Sequence, residues 1–77
     1  MEQKLKKIMT DLFEIQQDRI TDDLSINNTE KWDSLKHIEL IASIEEEFKI
    51  TLTADQIVEM TSFAEIKRIL REKGVKI

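Results

Sequence analysis

The side chains with chemical potential gather in one short stretch, Trp32-Asp33-Ser34-Leu35-Lys36-His37. Ser34 stands directly ahead of an amphipathic segment whose later part carries Glu45, Glu46 and Glu47. Asp33 is placed as the N-cap of that segment's helix, where its carboxylate accepts from N–H groups of the first turn. Ser34 then falls in the first turn with its hydroxyl able to face solvent. Unpaired N–H groups and the helix macrodipole favour a negative group there, so a phosphodiester on Ser34 would sit in a favourable field. Such a hydroxyl suits covalent modification by a phosphate-bearing group better than catalysis. On these residues alone, an Asp-Ser capping pair is the more economical account.

Serine catalysis fits poorly. A nucleophilic serine needs a base held by a third group, oxyanion donors and a pocket that excludes water. His37 is the only imidazole in the chain. Side chains at i and i+3 can touch, but nothing in the sequence orients the ring or encloses a substrate. His37 is therefore expected to be an exposed helix-surface residue. Glu45-Glu46-Glu47 reads as a solvated helix face, with an acidic docking strip as its functional version. Adjacent carboxylates diverge around a helix and imply no acid–base pair. Trp32, the only Trp, reads as a core or loop anchor that shapes the approach to Ser34.

These residues need elements to position them, and 77 residues allow a single small domain, 1–77, with a modest core. The absence of Cys removes disulfides, thiolate metal sites and cysteine nucleophiles, and a lone His removes a multi-histidine metal site. No Pro, a single Gly and apolar residues at helical spacing point to an all-α fold. No apolar run is long enough to span a membrane and no signal-peptide core opens the chain, so a cytoplasmic protein is expected, without membrane insertion. A formal charge of −4 opposes nucleic-acid binding and favours protein partners with basic patches.

The first helix is expected over about Glu2 to Gln17, with Leu5, Ile8, Met9, Leu12, Phe13 and Ile15 on one broad face. Asp18 to Lys31 is rich in Asp, Asn, Ser and Thr and reads as a long loop, pinned to the core by Ile20, Leu24 and Ile26. A loop of that length in so small a domain points to function. The second helix is expected from Ser34 to about Lys49. At about 100° per residue, Leu40, Ile41, Ile44 and Phe48 form its core stripe, while Leu35 and Ala42 fall nearly opposite and Ile38 lies between. Thr53-Ala54-Asp55-Gln56 reads as a capping box opening a short third helix towards Met60. Ser62-Phe63-Ala64-Glu65 reads as a second box, opening a final helix through Ile66, Ile69 and Leu70 that Gly74 ends. The expected architecture is a four-helix bundle with a long loop between helices 1 and 2.

The extended pattern D-S-L-x-x-x-E-L-x-x-x-I-E-E-E-F, from Asp33-Ser34-Leu35 through Glu39-Leu40 to Ile44-Glu45-Glu46-Glu47-Phe48, resembles the acyl carrier proteins. The resemblance covers essentially the whole chain, including the long first loop and the short third helix. It implies a carrier and not an enzyme. A phosphopantetheinyl transferase would move 4′-phosphopantetheine from coenzyme A to Ser34, and the arm's thiol would carry an acyl or aminoacyl group as a thioester for loading and transferring enzymes. The sulfur that the chain lacks would thus be imported. By matching position, the resemblance makes Asp33 the motif residue beside the cofactor, and Leu35, Lys36, Glu39, Ala42, Glu45 and Glu46 candidate partner contacts on a monomeric chain. Three departures from fatty-acid-synthesis carriers stand out: Glu30-Lys31-Trp32 before the motif, Lys36 directly after its Leu, and the small Ala42. They imply a specialised carrier for a dedicated pathway, such as one for a secondary metabolite or a surface polysaccharide. The alternative is an unmodified helical interaction module that uses the acidic second helix only for binding.

Overall fold

A computed structural model describes residues 2–77, in which α1 (Glu2–Phe13), α2 (Ser34–Phe48), α3 (Ala54–Glu59) and α4 (Phe63–Glu72) pack around one apolar core. Among the described residues the architecture is all-α, with the long loop and the short third helix where the sequence places them. Leu5, Met9 and Phe13 recur at helical spacing and bury the inner face of α1. Leu40, Ile41, Ile44 and Phe48 are the buried residues of α2, the stripe expected from its periodicity. Phe63, Ile66, Ile69 and Leu70 complete the core from α4.

The first helix is shorter than its apolar pattern suggests. It stops at Phe13 instead of continuing to Gln17, because Glu14 turns left-handed (φ 54°). Ile15 still packs against the core, but from non-helical backbone, so periodicity alone could not show the break. The turn also brings the Glu14 carboxylate within 3.0 Å of Lys31 Nζ, where the loop returns. A short 3₁₀ turn follows at Gln17–Arg19.

The loop is pinned as expected. Ile20 is buried, and Leu24 and Ile26 are half-buried against the core. Its polar residues satisfy its own backbone: Asn28 Oδ1 accepts from Ser25 N (2.9 Å), and Asn28 Nδ2 donates to the Asp23 carbonyl (2.8 Å). A second tie is not visible in the sequence. Ile26 N donates to Thr61 O and Phe63 N to Leu24 O, both at 2.9 Å, so Ser25 and Ser62 form an isolated antiparallel bridge at the entry to α4.

Helix ends follow the capping chemistry with one exception. Thr53 Oγ1 accepts from Gln56 N, and Gln56 Oε1 accepts from Thr53 N, closing a complete capping box. At α4, Ser62 Oγ accepts from Glu65 N (3.1 Å), but the Glu65 carboxylate turns away to Arg68 Nη2 (2.8 Å). The second box is therefore only half formed. A charge-assisted bond to a guanidinium outcompetes a neutral backbone donor. Arg68 also holds Glu59 at the end of α3 and Glu72 one turn on. Lys49, left-handed at φ 55°, closes α2, and Gly74 at φ 91° lets the chain leave α4.

Two outcomes follow from this packing. Phe48→Ala, which empties a large buried site, should cost about 3–5 kcal/mol in chemical denaturation; a loss below about 1 kcal/mol would remove Phe48 from the core. The second concerns acid. A hydrogen bond from Lys67, and then its charge, holds the Asp22 carboxyl below the usual carboxylate range. A carboxylate depressed on folding contributes stability above its unfolded pKa of about 3.9, and that contribution is lost as pH falls through the lower folded value. Asp22→Asn should therefore lower the thermal midpoint at pH 7, and the difference from the parent should shrink as pH falls through the depressed folded value.

Candidate functional site

The start of α2 is assembled from three consecutive side chains with separate tasks. Asp33 is extended (φ −104°, ψ −174°), its Oδ1 accepting from Lys36 N at 2.9 Å and its carbonyl from His37 N at 2.8 Å. It is the N-cap, as expected. Ser34 is the first residue of the helix and is exposed. With the cap bond taken by Asp33, its hydroxyl is free of that duty. The N–H groups of Ser34 and Leu35 belong to the first turn, which has no intrahelical acceptor, so the field around the hydroxyl favours an anion.

Trp32 lies on the other side of the cap and is only 2% exposed. Its ring stacks on Phe13 of α1, with centroids 4.9 Å apart and planes 22° apart. The indole Nε1–H donates to His37 Nδ1 at 3.0 Å. On the far side of the imidazole, Nε2 lies 2.8 Å from the Ile57 carbonyl of α3. A carbonyl only accepts and an indole N–H only donates, so these partners assign the neutral tautomer with the proton on Nε2. Phe13, Trp32, His37 and Ile57 thus form one continuous link from α1 through the loop end and α2 to α3.

His37 therefore departs from expectation. It is half-buried and bridging, not an exposed surface residue. A signal was available, since positions 37, 41, 44 and 48 follow one helical stripe, and His37 heads the row that Ile41, Ile44 and Phe48 continue into the core. With both ring nitrogens engaged, His37 offers no free base to Ser34, which removes the basis for a serine hydrolase.

The candidate partner contacts divide by environment. Leu35 (64% exposed) and Ala42 face outward, as the angular analysis requires, and Ile38 (65%) joins them. Val58 of α3 is also exposed, at 73%, and had no distinguishing signal in the sequence. Lys36 and Glu39 are half-buried and paired with each other at 3.4 Å. Glu45 has a structural engagement: its Oε2 accepts from Leu52 N at 2.9 Å and fastens the turn between α2 and α3. Glu46 is exposed. A shallow groove of about 200 Å³ runs along this surface, lined by Ile38, Ile41, Ala42, Glu45 and Ile57. A larger hollow of about 450 Å³ lies under the long loop, among residues including Glu14, Arg19 and Lys31, and Ser34 does not line it. No group of three or more His, Cys, Asp or Glu among the described residues is arranged to hold a metal ion.

Known proteins resemble this chain in sequence. The family described as "phosphopantetheine attachment site" matches residues 3–70. The chain is 29% identical over 76 residues to an acyl carrier protein of Buchnera aphidicola, covering 99% of this chain and 95% of that protein. It is 32% identical over 75 residues to polyketide-8 synthase acyl carrier protein 1 of Streptomyces avermitilis, covering 97% of this chain and 79% of that one. A non-reducing polyketide synthase of Didymella fabae is 34% identical over 73 residues, 94% of this chain but only 3% of that much longer protein.

The division of labour at the helix start is measurable. Asp33→Ala removes the cap and should cost about 1 kcal/mol in urea denaturation. Ser34→Ala and Ala42→Glu should each stay within about 0.5 kcal/mol of the parent, as outward-facing positions do. A large loss at Ala42 would overturn its placement on the outer face.

Proposed function

The chain belongs to the phosphopantetheine-attachment family, and on that premise we propose that Ser34 is the residue that bears the arm. The protein is a carrier: 4′-phosphopantetheine, covalently attached, supplies the terminal thiol on which an acyl group is held as a thioester. The observation that carries the assignment to Ser34 is the division between neighbours, with Asp33 occupied in capping and Ser34 exposed at the head of α2.

Loading would join Ser34 Oγ to the phosphorus of coenzyme A that bears the pantetheine, releasing adenosine 3′,5′-bisphosphate, with the hydroxyl proton passing to a base of the transferase. Asp33 holds the first turn in place during this exchange. The N–H groups and dipole of α2 then stabilise the phosphodiester on Ser34. The catalytic groups belong to the partners, consistent with a chain whose single imidazole is fully engaged.

Leu35, Ile38 and Ala42 are the apolar centre of the proposed docking face, with Glu46 and the Lys36–Glu39 pair beside it. Phosphopantetheinyl transferase and acyl- or aminoacyl-handling enzymes with a basic rim are the partners such a face fits, and the net charge of −4 supports steering towards them. Trp32 and Lys36 favour a dedicated pathway over general fatty-acid synthesis. The indole makes the approach to Ser34 a buried, stacked segment, and Lys36 places a cation next to the motif. No helix among the described residues is long and apolar enough to cross a membrane. A monomeric, one-domain carrier working in the cytoplasm completes the reading.

Coexpression with a promiscuous phosphopantetheinyl transferase, followed by intact-mass measurement, should show the increment of one phosphopantetheine. Ser34→Ala should abolish it. An increment that survives Ser34→Ala would move the attachment elsewhere, and no increment at all would favour an unmodified interaction module.

A further inference from the structure

The link from Trp32 through His37 to Ile57 crosses the seam between α2 and α3 beside the proposed attachment residue. The α2–α3 groove begins at Ile38, one helical turn from Ser34, and its floor includes Ile41. An alkyl chain tethered at Ser34 gains free energy by leaving water, and this groove is the apolar surface at hand. The groove is shallow. Behind Ile41 the core is closed, with Leu40, Ile44, Met60 and Ile66 all fully buried. Side chains packed at crystal-like density leave no room for an added chain unless an element moves.

The element that could move is α3. None of its six residues is buried; its apolar anchorage comes from Met60 at its C-cap, and Glu59 ties it to Arg68 of α4. His37 donates to the Ile57 carbonyl at 2.8 Å, an acceptor it shares with the backbone N–H of Met60 at the end of α3 (3.3 Å). The other ring nitrogen is anchored by Trp32, itself wedged against Phe13. A hydrogen bond fixed at both ends of the imidazole resists separation of α3 from α2 better than a mobile side chain would.

The geometry points to His37 as a clamp that keeps α3 closed on α2 and thereby excludes a carried acyl chain from the interior. This inference rests on Ser34 bearing the arm, and it deepens that reading by naming the cargo class. The carrier suits short or polar acyl groups, which gain nothing from an apolar interior, over long alkyl chains, which do. His37 is a positioning residue acting through α3; it touches neither the arm nor the thioester bond.

The test uses the full chain loaded at Ser34 with butyryl, octanoyl or dodecanoyl phosphopantetheine from the corresponding coenzyme A thioesters, each verified by intact mass. Uncatalysed thioester hydrolysis at one pH is the readout. The parent should hydrolyse at the same rate for all three lengths. His37→Ala should hydrolyse the dodecanoyl form several-fold more slowly than the butyryl form, since an opened seam shelters the longer chain. Trp32→Phe keeps an aromatic ring against Phe13, loses the N–H donor together with part of the indole's volume, and should move in the same direction. If His37→Ala does not fold, Trp32→Phe decides. Chain-length protection in the parent, or flat rates in the folded variants, would overturn the clamp while leaving attachment at Ser34 intact. Failure to load any group would instead remove the attachment reading and the cargo consequence with it. Amide hydrogen exchange on the unloaded chain checks the clamp independently: His37→Ala should accelerate exchange at Ile57, Met60 and Thr61 relative to α1, and unchanged protection there would overturn it.

Discussion

The stacked pair of Trp32 and Phe13 is the contact on which the working end of this molecule depends. A long polar loop cannot bury enough apolar surface to hold itself in place, and here it must deliver Asp33 and Ser34 to the head of α2 in a fixed orientation. Trp32 solves this by burying its ring on α1 immediately before the cap. The loop therefore ends on a fixed point, and α2 begins two residues beyond it. Ile20, Leu24, Ile26 and the bridge to Ser62 hold the middle of the loop to the core and to α4. The same indole then orients His37, so one aromatic contact fixes the loop end, the first turn of α2 and the seam with α3.

Charge has a secondary part in stability and a larger one at the surface. The ion pairs of Arg68 and Lys67 link α3, α4 and the loop, but exposed pairs each contribute little in water. Burial of the α1, α2 and α4 stripes is the main term. On the outer face of α2 the balance shifts. Lys36 is paired with Glu39 and Glu45 is committed to Leu52 N. The acidity left unengaged beside Leu35, Ile38 and Ala42 therefore falls mainly to Glu46. A run that reads in sequence as a uniform acidic strip is divided in space into a turn fastener at Glu45, a surface charge at Glu46 and a carboxylate paired with Lys4 of α1 at Glu47.

Much of this was legible along the chain, for local reasons. Asp33, Thr53 and Gln56 act within one turn of their own helix ends, and Leu40, Ile41, Ile44 and Phe48 follow a single period. Such features carry their partners with them in sequence. The break after Phe13 was not legible, because Ile15 keeps the apolar spacing while Glu14 takes a left-handed backbone without a glycine to announce it. Glu65 misled for a different reason: its capping role was available, but Arg68 was the stronger partner. Val58 reads as an ordinary helical residue, and only the packing of α3 leaves it exposed.

By itself, the sequence determined the helical class, the capped start of α2, the outward placement of Leu35 and Ala42, and a free hydroxyl at Ser34. Each depends on spacing within a single element, which the order of residues specifies directly. Only the tertiary structure decided the role of His37. Its two partners, Trp32 and the main chain of Ile57, lie five residues before it and twenty after it, and no local rule brings them together. They meet because the loop packs on Phe13 and α3 closes against α2. A hydrogen bond between distant segments is a consequence of that packing and cannot be read from either segment alone.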